Sequence, residues 1–174
     1  MSSRIKANRA IIVCGSPGAG KTTYGKKLAK ELRACLIDID TCTEGLVRTG
    51  LDLSGHDPND RDSEYFKSSY REVIYETLFS IARENLPFTD VVVVGPFTRE
   101  IRDSTWPAKL GVRLETPVEV HYVYCSPECR RERIKQRGEG RDLAKLADWD
   151  ASRQYFGAED RPEFTHTFID TSAC

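Results

Sequence analysis

Gly15-Ser16-Pro17-Gly18-Ala19-Gly20-Lys21-Thr22 follows the apolar run Ala10-Ile11-Ile12-Val13-Cys14. The eight residues match GxxxxGK[ST], and the run before them is the buried strand that this motif needs to feed its glycine-rich turn. Leu28 and Leu32, four apart, predict a helix over Thr22–Arg33 directly after the turn. Its free N-terminal amides point back at the loop, where a phosphate chain would sit. Glycines let the backbone amides approach phosphate oxygens, the Lys21 ammonium reaches the β- and γ-phosphates, and the Thr22 hydroxyl ligates magnesium. Gly15, Ser16, Pro17, Gly18, Ala19, Gly20, Lys21, Thr22 and Thr23 are therefore the expected nucleotide-binding residues, with ATP and Mg2+ as cofactors. The plainer alternative, a glycine turn that merely joins strand to helix, does not account for the lysine and threonine at fixed offsets.

The chain has 174 residues, which leads to the expectation of one domain over 1–174. Lys plus Arg number 26 against 27 Asp plus Glu, so the net charge of −1 gives no general pull toward nucleic acid or membrane. The six cysteines show no paired CxxC spacing, and Cys14, Cys35 and Cys125 lie in or beside apolar runs. They read as thiols of a reducing compartment. Residues 1–8 are short and polar, and no run has the length of a membrane span, so the expected location is cytoplasmic, with no membrane partner.

Beyond the first helix, Cys35–Asp40 predicts a second strand whose Asp38 and Asp40, two apart, point the same way near its carboxyl end. Ligands of open α/β sheets bind outside those ends. Residues 41–62 read as a short helix and a glycine-containing loop covering the cleft and holding much of the substrate site. Ser63–Asn85 reads as one helix, with a stripe of Phe66, Tyr70, Val73, Ile74, Thr77, Leu78 and Ile81 facing the core. Val91–Val94 is a strongly β run placed centrally in the sheet, and Gly95–Arg99 leaves it toward the cleft. A helix starting near Arg99 is expected to break at Pro107. Val118–Tyr124 is a fourth strand, Ser126-Pro127 opens a helix through Arg137, a last helix is expected over 142–156, and Thr165–Asp170 closes the sheet. Alternating strands and helices imply an α/β fold with a parallel sheet of about five strands.

Two further constellations suit phosphoryl transfer. A hydroxyl that attacks a γ-phosphoryl group needs a carboxylate within hydrogen-bond reach, and magnesium needs oxygen ligands. Asp40 and Asp38 can divide those tasks, with Thr22 and Asp38 on the metal and Asp40 on the acceptor; the competing reading is that one of them only caps the next helix. Arg130, Arg133 and Arg137 share a helical face, with Arg141 following, and glycines at 138 and 140 can hinge a lid over about 130–145. Arg133 and Arg137 are the expected donors to the transferring phosphoryl group and the nucleotide; the plainer reading is a solvated basic face offset by glutamates. Arg99 and Arg102 are candidates to grip an anionic part of the substrate, or else surface residues. Arg48 and Arg61 are weaker candidates, and His56 alone makes no metal site.

Together these residues resemble the small P-loop kinases, in particular the branch containing the 5'-kinase of polynucleotide kinases, zeta-toxin-like proteins and chloramphenicol phosphotransferase. The resemblance implies a P-loop NTPase-type three-layer sandwich with an arginine-bearing lid, and it makes Asp40 the general base. The Asp-x-Asp spacing is also similar to that of shikimate kinase, which implies a magnesium-assisting role for Asp38. The run from Arg133 to Gly138 resembles the polynucleotide kinase lid, whose second arginine corresponds to Arg137. Two positions depart from the pattern. Thr43 stands where the 5'-kinases carry a phosphate-holding arginine, and Val94-Gly95 ends its strand without the aspartate of an ATPase-type Walker B motif.

The activity expected from the residues and the resemblance is transfer of the γ-phosphate of ATP to a hydroxyl of a small molecule. The alternatives are a polynucleotide or nucleoside 5'-hydroxyl kinase, and a nucleotide-dependent switch protein that is not a kinase.

Overall fold

A computed structural model describes residues 7–138, 146–147, 149 and 161–173. Five parallel strands form one sheet: β1 (Ala10–Cys14), β2 (Cys35–Asp38), β3 (Val91–Val94), β4 (Val118–Tyr124) and β5 (Thr167–Asp170), in the order β2-β3-β1-β4-β5. Successive side chains of a strand point to opposite faces, and the core divides accordingly. Ala10, Ile12, Val91 and Val93 face one layer, with α2 (Ile39–Leu53), α3 (Glu64–Ser69), α4 (Arg71–Asn85) and α5 (Trp106–Leu114). Ile11, Val13, Val92 and Val94 face the other, with α1 (Lys21–Leu32) and α6 (Pro127–Arg137). β1 and β3 are buried along their whole length, as interior parallel strands are.

Several elements differ from the sequence expectation, each for a local reason. β2 ends at Asp38, and Asp40 lies in the first turn of α2, because the Asp38 carboxylate accepts from the amides of Asp40 and Thr41 and caps that helix. The predicted helix 63–85 is two helices that meet at Tyr70, whose ψ is −35° but whose φ opens to −115°. Ser63 caps the first of them through the Phe66 amide. Val73 and Thr77 point outward, while Tyr75, Phe79 and Ala82 take the buried face of α4. Glu100–Arg102 forms a short 3-10 turn, and Pro107 stands at the start of α5 instead of breaking a helix, since its missing amide is no loss there. Cys14, Cys35, Cys42 and Cys125 are free thiols, and Cys174 lies outside the described residues. Among the described residues no helix is long and apolar enough to cross a membrane.

Candidate active site

The loop after β1 turns through left-handed glycines. Gly15 has φ +137°, and a Cβ there would lie 2.2 Å from the Val123 carbonyl oxygen, so no other residue fits the close approach of loop to β4. Gly20 has φ +88° and stands at the N-cap of α1 with no side chain over the helix end, leaving those amides to a ligand. Lys21 opens the helix, and its ammonium folds back to donate to the Ser16 carbonyl at 2.9 Å. Burial lowers its pKa to about 8, against the opposing pull of Asp40. Cys14, under the loop, is pushed up to about 12 by burial and stays a neutral thiol.

Asp38 joins two elements of the site. Its Oδ2 accepts from Thr22 Oγ1 at 2.9 Å and its Oδ1 holds the first amides of α2, while the residue itself is only 3% exposed. Register pairing sets Asp38 beside Val94, so α2 and the segment Gly95–Arg99 leave neighbouring strand ends, and both line one cavity. A hydroxyl and a carboxylate in contact are hard oxygen donors suited to magnesium.

Between these elements lies a cavity of about 590 Å³. Gly18, Gly20, Lys21 and Thr22 line one part of it, Asp40, Thr43 and Glu44 of α2 another, and Gly95, Pro96, Thr98 and Arg99 the facing wall. Arg133, Ile134 and Arg137 of α6 close it from the side of the loop. Arg133 donates to the hydroxyl and the carbonyl of Thr171, at 3.0 and 2.6 Å, and the Thr171 hydroxyl in turn donates to the Ala19 carbonyl at 2.8 Å. Arg137 is exposed at the end of the helix and is close enough to Lys21 to disfavour its charge.

The sequence-derived candidates therefore divide. Lys21, Thr22, Thr23, Asp40, Arg99, Arg133 and Arg137 come together around one cavity, while Asp38 lies just behind it. Arg102 is exposed and does not line the cavity, because the 3-10 turn carries it away from Arg99. Arg130 is buried with its guanidinium 6.0 Å from the Trp149 ring, outside the cavity. Arg141, Gly140 and most of the proposed lid beyond Gly138, with most of the helix expected at 142–156, lie outside the described residues.

Sequence reasoning missed part of the lining of the cavity. Phe66, Lys67, Arg71 and Tyr75 line it together with Arg61. Arg61 sits 2.9 Å from Glu44 Oε1, donates to the Pro58 carbonyl and lies 5.4 Å over the Phe66 ring. Arg71 bonds Glu100 at 2.9 Å and stacks 4.7 Å over Tyr75, whose hydroxyl burial pushes up to about 12. The usable signal was the run of arginine and lysine at 61, 67 and 71 around the Ser63 cap, which the apolar stripe of the same segment obscured.

A phosphate loop, an aspartate pair whose first member caps α2, and arginines from α6, set at the carboxyl ends of a parallel sheet, are the marks of a nucleotide-dependent phosphotransferase. A family model described as an AAA domain matches residues 11–158. The chain belongs to that family and, within it, to the small P-loop kinases, which use ATP as phosphoryl donor. It is 32% identical over 130 residues to a shikimate kinase of Bacillus cytotoxicus, covering 74% of this chain and 67% of that one. A shikimate kinase of Bacillus anthracis is 29% identical over 167 residues, covering 94% and 89%. A solved structure from Chloroflexus aurantiacus, assigned as a kinase, shares the fold with a TM-score of 0.68 at 20% identity, covering 97% of this chain and 90% of that one. Kinase membership sets aside the switch-protein alternative.

Proposed function

We propose that the protein phosphorylates a hydroxyl of a small, anionic compound, with Asp40 as the base that takes the hydroxyl proton. The observation that carries this reading is one cavity lined by the phosphate loop, Asp40, Arg61, Lys67 and Arg71. Asp40 shares this cavity with Lys21, which marks the place for the γ-phosphate, and with Arg61, Lys67 and Arg71, so an acceptor held by its anion against those cations would present a hydroxyl to the carboxylate. The apolar Ile39, Val47, Phe66 and Ile74 supply the floor for a carbon skeleton. Shikimate, the substrate named for the relatives, is a compound of this class.

Lys21 and the loop amides hold the phosphate chain. Arg137 neutralises the charge that builds on the transferring group, and Asp40 accepts the proton as the acceptor oxygen bonds to phosphorus and the bond to the β-phosphate bridge breaks. Thr22 would hold magnesium, with Asp38 acting on the ion directly or through water; the ion would neutralise phosphate charge.

Thr43, where an arginine would hold a nucleic acid phosphate, is 9% exposed, and its hydroxyl donates to the Ile39 carbonyl at 2.7 Å. Thr43 itself brings no cation to the cavity, which favours a compact acceptor over a polynucleotide needing several phosphate contacts. The test is transfer from γ-labelled ATP to shikimate, sugar acids, neutral sugars, nucleosides, amino-alcohol antibiotics and 5'-hydroxyl oligonucleotides. The expected result is highest kcat/KM on an anionic small hydroxyl compound. Higher activity on oligonucleotides, falling steeply with salt, would overturn the reading.

A further inference from the structure

Phe97 has φ +46° and is fully buried. Among the described residues, two other non-glycine positions have positive φ, Arg33 and Glu115, and both are C-caps where a chain leaves a helix. Phe97 ends no helix, and a bulky residue held in the left-handed region persists only where its surroundings over-determine it. They do so here. The ring lies 5.0 Å from Tyr75, 5.3 Å from Trp106 and 5.8 Å from Phe79, centroid to centroid. It folds back beneath its own turn, so that a Cβ on Gly95 would meet Phe97 Cε2 at 2.9 Å. Its backbone is held as well: the Phe97 carbonyl accepts from the Ile101 amide at 3.0 Å.

The neighbours of Phe97 do the opposite of Phe97 itself. Gly95, Pro96, Thr98 and Arg99 line the cavity across from Asp40, and Phe97 alone of the five points away into the core. The geometry points to Phe97 as a positioning residue: its inverted backbone and anchored ring hold Gly95–Arg99 as the rigid wall against which an acceptor is pressed toward Asp40. Tyr75, which lines the same cavity and packs against the Phe97 ring, links this wall to Arg71. The assignment rests on the acceptor lying in this cavity, as proposed above, and predicts a role in acceptor affinity and none in nucleotide binding.

The test combines amide hydrogen exchange with kinetics for Phe97→Leu and the control Phe79→Leu, which trims the same aromatic cluster without touching the turn's backbone. Phe97→Leu should speed exchange between Gly95 and Ile101 by about tenfold while the phosphate-loop amides keep their rates, because the loosened turn opens locally. With shikimate as the probe acceptor, its KM should rise about tenfold or more, the KM for ATP should stay within about twofold, and Phe79→Leu should leave both near wild type. Unchanged exchange, an equal rise in the two KM values, or the same acceptor effect from Phe79→Leu would overturn the assignment. If Phe97→Leu does not fold, Gly95→Ala displaces the ring from the other side, and an unchanged acceptor KM in that variant would overturn it equally. If wild type transfers nothing to shikimate, that result counts against shikimate as acceptor, and the exchange data alone decide the positioning role.

Discussion

Thr22 Oγ1 donates to Asp38 Oδ2 at 2.9 Å, while Asp38 Oδ1 caps α2 two residues before Asp40. One buried carboxylate thus fixes both the hydroxyl that would face magnesium and the start of the helix that carries Asp40. Asp38→Asn keeps an oxygen for the cap but loses the charge. It should raise the magnesium concentration for half-maximal rate, with extra magnesium recovering part of the activity, because the phosphates and Thr22 still offer ligands. Asp38→Ala removes the cap as well and should cost about 1 kcal/mol or more of stability in denaturant titrations. A magnesium requirement in Asp38→Asn that matches wild type would make the carboxylate purely structural.

Lys21→Ala should weaken ATP binding and lower transfer by about 10²- to 10³-fold, the range for removing one preorganised electrostatic donor. Steady-state kinetics with calorimetric ATP binding would check it, and wild-type turnover would contradict the placement of the phosphate chain.

The lowered pKa of Lys21, about 8, has a signed consequence. Below pH 8 the free protein already carries the ammonium, so binding of a triphosphate needs no proton. Above it the lysine is mostly neutral in the free protein and is recharged by the bound phosphates. ATP affinity should then fall by up to about tenfold per pH unit, with proton uptake on binding. Calorimetry at pH 8.5 in buffers of different ionisation enthalpy measures that uptake. Folding has the opposite slope: the unfolded lysine, with its higher pKa, binds more protons between about pH 8 and its ordinary value of 10.5, so this group's contribution to stability rises with pH across that window.

Arg133 and Arg137 should separate. Arg137, exposed at the end of α6, should on substitution by Ala lower kcat by about 10³-fold, the lower end of the range for an arginine that stabilises phosphoryl transfer. Arg133 is tied to Thr171 and through it to Ala19. Its loss should loosen the base of α6 against the loop, raising the KM for ATP more than it lowers kcat. Thr171→Val should reproduce part of that effect and reduce stability by about 1 kcal/mol, a shift of about 2–4 °C in Tm for a chain of this size. Equal kcat losses in both arginine variants with no change in the KM for ATP would contradict the division.

The elements that sequence located best are those with a local cause. Val91–Val94, Val118–Tyr124 and the helix from Pro127 to Arg137 stand where the reading placed them, because an apolar run or a Ser-Pro cap is written in adjacent residues. Asp40 shows the limit of that logic. Two aspartates two apart read as one strand face until Asp38 turns its carboxylate onto the next amides and starts a helix. Arg71 and Tyr75 reach the cavity only because α4 packs against β2 and β3, a tertiary arrangement with no signature at positions 71 and 75. Phe97 was legible as part of a turn, but its left-handed backbone depends on Tyr75, Phe79 and Trp106 closing around it.

The most direct measurement of the central claim is single-turnover transfer of labelled γ-phosphate to the acceptor with the highest kcat/KM, by wild type and by Asp40→Asn, alongside ATP binding at saturating magnesium. With Asp40 as base, the variant should bind ATP as wild type does and transfer about 10²- to 10⁴-fold more slowly, the contribution of a general base. Magnesium should not rescue it. Transfer at the wild-type rate in Asp40→Asn would contradict the account.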